Sequence, residues 1–117
     1  MSLLGQNCLK DWRIRKMINE NVLRRIEKKD LKDCVGKIIC FWNQGADIYL
    51  SGHPHYYEWV KKVNDEKSKI FNCDLLDMKK WSKGKWMNIK GFNFRNNDWY
   101  VFDRKDLKRV ILAFSIR

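Results

Sequence analysis

The segment Val35-Gly36-Lys37-Ile38-Ile39-Cys40-Phe41-Trp42 constrains the fold most, because β-branched and aromatic side chains run through it almost without a break. Such side chains pack well on a pleated surface, so the segment reads as a β-strand. Asn43-Gln44-Gly45-Ala46 then supplies turn chemistry, and Asp47-Ile48-Tyr49-Leu50 resumes an extended pattern. A short Gly-bearing link between two such runs predicts a β-hairpin. Ser51-Gly52-His53-Pro54 closes it.

Further strand patterns occupy the C-terminal half. Trp86-Met87-Asn88-Ile89 is one, with Gly91 expected to form a bulge before Phe92 and Phe94. Arg95-Asn96-Asn97-Asp98 is a turn cluster, and Trp99-Tyr100-Val101-Phe102 follows as the return strand of a second hairpin. Ile70, Phe71 and Cys73 make a short apolar piece, Leu75-Leu76-Asp77-Met78 a helical turn, and Val110 to Ile116 a buried final strand.

Two segments show helical spacing. From about Leu9 to Lys29, Ile14, Ile18, Val22 and Ile26 recur every four residues, predicting an amphipathic helix. Its other faces are basic and include Arg13, Lys16, Arg24 and Arg25. Pro54 is suited to open a second helix, from about His55 to Lys67, because its ring presets φ and its missing N–H is not needed in the first turn. Tyr56, Val60 and Val63 mark its apolar spacing. Strands and helices intermix without a βαβ rhythm, so the expectation is α+β: one domain over residues 1–117, two main helices, and a mostly antiparallel, barrel-like sheet.

Charge narrows the partners. Lys and Arg number 25 against 14 Asp and Glu, a formal net charge of +11 in 117 residues. An excess of this sign attracts polyanions: DNA, RNA, an anionic membrane surface or an acidic protein. The segment Lys79-Lys80-Trp81-Ser82-Lys83-Gly84-Lys85-Trp86 adds flat rings to that charge. Lysines neutralise phosphates and release counterions, while indoles stack on bases. The expected interface therefore comprises Lys79, Lys80, Trp81, Lys83, Lys85 and Trp86, widened by Arg13, Lys16, Arg24 and Arg25. Gly84 would allow a left-handed turn or a close backbone approach to phosphate. Trp42 and Trp99, within strand patterns, read instead as core residues.

Chemistry-bearing residues are few. His53 and His55 flank Pro54 and are candidates for general acid–base work, as in an RNA-cleaving toxin. Their plainer reading is two histidines at an element junction. Asp103, two residues before Lys105, resembles the acid-x-Lys element of metal-dependent nucleases, with Asp47 or Asp98 as a second acid. Neither pattern completes a metal site, and no cofactor is expected. The four cysteines form no C-x-x-C pair. Met1 to Gly5 lacks a basic, apolar leader pattern, so free thiols in the cytoplasm are expected.

The reading is thus a non-enzymatic binder of single-stranded nucleic acid or structured RNA. One alternative is a small inhibitor or adaptor docking an acidic protein partner, since Arg, Trp and Tyr are favoured at interfaces. A second is a nuclease or RNA-cleaving toxin, and a membrane-surface protein anchored by the first helix ranks last.

Overall fold

The structure, a computed structural model, describes residues 18–19 and 21–115. Seven strands form one sheet: β1 (Arg24–Ile26), β2 (Lys37–Asn43), β3 (Tyr57–Val63), β4 (Lys69–Leu76), β5 (Lys80–Trp81), β6 (Lys85–Asn88) and β7 (Asn97–Asp103). Their order is β1-β7-β2-β3-β4-β5, with β6 also on β4, and every pairing is antiparallel. The sheet does not close on itself, so the expected barrel-like closure is corrected to an open sheet.

The central strands are apolar on both of their alternating faces because both faces are covered. On one face Ile38, Cys40, Trp42, Tyr57 and Phe102 pack against Val110, Ala113 and Phe114. On the other, Ile39, Val60, Ile70, Trp99 and Val101 pack against Leu31, Cys34 and Phe92. Trp42 donates its indole N–H to the Gly52 carbonyl at 3.1 Å, and Trp99 donates to the Phe92 carbonyl at 2.7 Å. Both indoles are sealed in the interior with their polar atoms satisfied.

Several expectations change. The last apolar run is not a strand but helix α1 (Leu107–Ser115). Val110, Ala113 and Phe114 are buried at helical spacing, whereas Leu112 points outward, which a strand could not achieve. The segment expected as a helix from His55 to Lys67 is mostly β3. Tyr57 and Trp59 face one side and Glu58 and Val60 the other, a period of two that overrides the looser spacing of Tyr56, Val60 and Val63.

Residues 9–17 of the expected first helix, Arg13 and Lys16 among them, lie outside the described residues. Among the described residues from Ile18 onward that helix is not formed. Asn19 caps a tight turn through its side-chain oxygen on the Asn21 N–H at 2.9 Å, and Arg24–Ile26 joins the sheet as β1. Lys28–Asp33 is then a 3-10 helix opened by a reciprocal Glu27/Asp30 capping box. One α-helix, not two, is therefore present among the described residues.

Both expected hairpins are rewired. Asp47–Leu50 is a turn, and β2 pairs with β3 instead. β6 pairs with β4, while β7 pairs with β2 and β1. Between β6 and β7 lies a 3-10 helix, Ile89–Phe92, which contains Gly91 where a bulge was expected. Leu75 and Leu76 end β4, and Asp77 and Met78 turn with φ of 52° and 57° rather than forming a helical turn.

Candidate nucleic-acid interface

The Lys/Trp segment is one edge strand broken in the middle. β5 lies beside Leu75 and Leu76 of β4, and β6 lies beside Lys69 to Asn72 of the same strand. Ser82, Lys83 and Gly84 bulge between them. Ser82 pins the bulge twice to Asp74: its N–H donates to the Asp74 carbonyl, and its hydroxyl oxygen accepts from the Asp74 N–H, each at 2.8 Å.

Gly84 has φ of +90°, and a Cβ there would stand 2.7 Å from the Phe71 ring and 2.8 Å from Cys73 Sγ. No other residue type fits. The close approach that this glycine permits is thus to the protein's own Phe71.

Register decides where the rings go. Trp81 is opposite Leu75 and Trp86 opposite Phe71. Leu75 and Phe71 are four residues apart on one strand, so both tryptophans project from the same face. Trp59 joins them from β3, with its centroid 5.7 Å from that of Trp81, while Phe71 and Trp86 meet edge-on at 5.4 Å. Trp59, Phe71 and Trp81 are half-buried; Trp86 keeps 48% of its surface exposed.

The cations at these rings are not the expected ones. Arg104 lies over Trp59 with its guanidinium carbon 3.8 Å from the ring centre, and the Lys61 ammonium stands 4.5 Å from the same ring. Lys62 approaches Phe71 at 5.7 Å. A β3–β4 register shift between Val60 and Lys62 accommodates Lys61 as an extra residue, and Lys62 falls opposite Phe71. Arg104 and Lys61 hold Trp59, which leaves Trp86 as the ring most open to a stacking partner. Sequence reasoning missed these cations, although Trp59-Val60-Lys61-Lys62 carries the same ring-and-lysine mixture as the segment it singled out.

The four expected lysines spread around this edge. Lys79 and Lys83 occupy exposed turns, and Lys80, opposite Leu76, projects away from the Trp81 side. Lys85, opposite Asn72, lies on the reverse face from Trp86. Arg24 and Arg25 sit on β1, five strand steps from β6, or roughly 24 Å at ordinary spacing. Arg25 is also engaged by Asp98 at 2.9 Å. The structure therefore brings Trp81 and Trp86 together with Trp59, but leaves the β1 arginines at the far edge.

The acid–base candidates do not converge. His55 stacks on Phe41 with centroids 5.0 Å apart and places Nε2 3.2 Å from Asn43 Oδ1, at the end of β2. Asp103 pairs with Lys37 at the opposite end of that strand, roughly 20 Å away by strand rise. The Lys37 ammonium holds the Asp103 carboxyl below the usual carboxylate range. His53 Nε2 lies 3.3 Å from the Ser115 hydroxyl. Asp98 is occupied by Arg25 and the Gly45 N–H, and Asp47 by the Tyr49 N–H. Among the described residues no group of three His, Cys, Asp or Glu side chains could hold a metal ion. Cys34, Cys40 and Cys73 are buried and free, and burial pushes the Cys34 thiol up to about 11. Burial likewise raises the Cys40 thiol, the opposite of the lowered pKa a nucleophile needs.

No helix among the described residues is long and apolar enough to cross a membrane. No family model matches the chain, and no curated protein or solved structure matches it.

Proposed function

We propose that this protein binds single-stranded nucleic acid or structured RNA without cleaving it, along the face shared by β3, β4, β5 and β6. The observation that supports this reading is the gathering of Trp59, Phe71, Trp81 and Trp86 on one sheet face, bordered by Lys61, Lys62 and Arg104. Unstacked bases can lie on exposed rings, whereas a duplex hides them. Lys79 and Lys83 on the adjoining turns neutralise phosphates, and Lys80 and Lys85 do so from around the edge. Buried free thiols suit a reducing compartment, and we assign the protein to the cytoplasm on that basis.

Fluorescence anisotropy with a labelled single-stranded oligonucleotide, titrated at several salt concentrations, tests the reading. Four phosphates neutralised predict a slope of log affinity on log salt of about −3. Absence of binding at low salt removes the reading and favours an acidic protein partner on the same surface. Cleavage of RNA or DNA that disappears in His53→Ala or Asp103→Asn would instead establish a nuclease.

A further inference from the structure

The reverse face of the same strands carries a cleft of about 340 Å³, within the size range of small-ligand sites. Phe41 and Tyr56 contribute aromatic walls, the edge of the buried Trp99 lies at the base, and Glu58 and Asp74 contribute carboxyl groups. Those two acids are directly opposite each other on β3 and β4. Like charges in such a cross-strand pair repel, and Lys85 of β6 is the cation that shares their cleft. Glu58 is only 6% exposed yet lines the cleft, and the Asn72 side-chain amide donates to its Oε1. Tyr56 stands at the mouth, 60% exposed. Two adjacent acceptors beside rings call for a flat ligand with adjacent donors.

We propose that this cleft binds a guanine base. The Watson–Crick edge of guanine presents N1–H and N2–H side by side, and the carboxylate forms of Asp74 and of Glu58, once its proton is released, are acceptor-only partners for them. Adenine offers one donor beside an acceptor, cytosine places two acceptors against the carboxylates, and uracil has one donor between two acceptors. A cationic ligand fits less well: the chain carries a net +11, and Lys85 lines the cleft. Lys85 suits the phosphate of a nucleotide instead. Because Lys85 and Trp86 are consecutive on edge strand β6 and face opposite ways, one strand of nucleic acid can stack on Trp86 and turn a guanine into the cleft.

In the polymer this inference rests on the proposed binding function, and the test separates the two. Anisotropy at fixed salt compares a labelled oligo-U with the same oligomer carrying one internal G, A or C, and calorimetry compares free GMP with AMP. The expected result is roughly tenfold tighter binding of the G-containing oligomer than of the A or C versions. Glu58→Gln and Asp74→Asn each remove that preference while retaining oligo-U affinity. Oligo-U binding with no preference among the bases, and no GMP binding, overturns the guanine cleft and leaves the polymer reading intact. GMP binding that Glu58→Gln abolishes, with no oligomer bound at any salt, supports the cleft as a free-nucleotide site and sinks the polymer reading.

Discussion

Gly84 and Glu58 show how single residues set the terms for this edge of the sheet. At Gly84, positive φ and the 2.7 Å approach of Phe71 act together, so Gly84→Ala must strain the backbone and displace a packed ring. The expected loss is about 2 kcal/mol of unfolding free energy, measurable by urea titration. In the proposed interface the role of Gly84 is to seat Phe71 beside Trp86 rather than to meet a phosphate. At Glu58, burial first and the Asp74 charge second push the carboxyl up to about 7 from 4.5, against the Asn72 hydrogen bond and the Lys85 charge. Cys40 also feels Glu58 from β2. The folded chain therefore holds a proton that the unfolded chain releases between those two values. Stability falls as pH rises through that window, and the full penalty, on the order of 3 kcal/mol, is present above it. Glu58→Gln should be more stable than wild type at pH of about 8 and nearly equal to it at pH of about 4, as read by denaturant midpoints. A wild-type-minus-variant difference that does not change with pH would contradict this account.

Elements differ in how openly the sequence declares them. β2 and β7 were legible because Ile38-Ile39-Cys40-Phe41-Trp42 and Trp99-Tyr100-Val101-Phe102 leave no polar face for a helix to expose. β6 was legible as a strand, but its partner was not, since pairing across the chain depends on which edges remain free. β3 was obscured by Pro54 and by Tyr56, Val60 and Val63, which mimic a helical stripe. α1 was obscured by its β-branched composition, although Val110, Ala113 and Phe114 already lay at helical spacing. Short apolar runs satisfy both periods, and the covering layer decides between them. The aromatic half of the candidate site was legible in Trp81 and Trp86; Lys61 and Lys62 were not, because only the β3–β4 register shift carries them there, and Arg104 was not, because it arrives from the 3-10 turn after β7. Position within the sheet also sets the tolerance of each tryptophan. Trp42→Ala on central β2 should cost about 3–5 kcal/mol, while Trp86→Ala on edge strand β6 should cost about 1 kcal/mol or less. Thermal unfolding of both variants tests the contrast.

Across the whole molecule, net charge and binding surface are different things. The +11 excess draws any polyanion toward the protein and makes encounter salt-dependent, wherever the lysines lie. Under the proposed function retention depends on the ring-bearing face, because stacking adds free energy that diffuse charge cannot. Arg24 and Arg25, across the sheet from β6, contribute to the first effect only. The decisive measurement is single-stranded oligonucleotide affinity at moderate salt for wild type, Trp86→Ala and Arg24→Ala. Stacking on Trp86 predicts a loss of about tenfold or more for Trp86→Ala, with its fold intact by circular dichroism, and a change of about threefold or less for Arg24→Ala. Equal losses in the two variants, or wild-type affinity in Trp86→Ala, would contradict a site built on that ring.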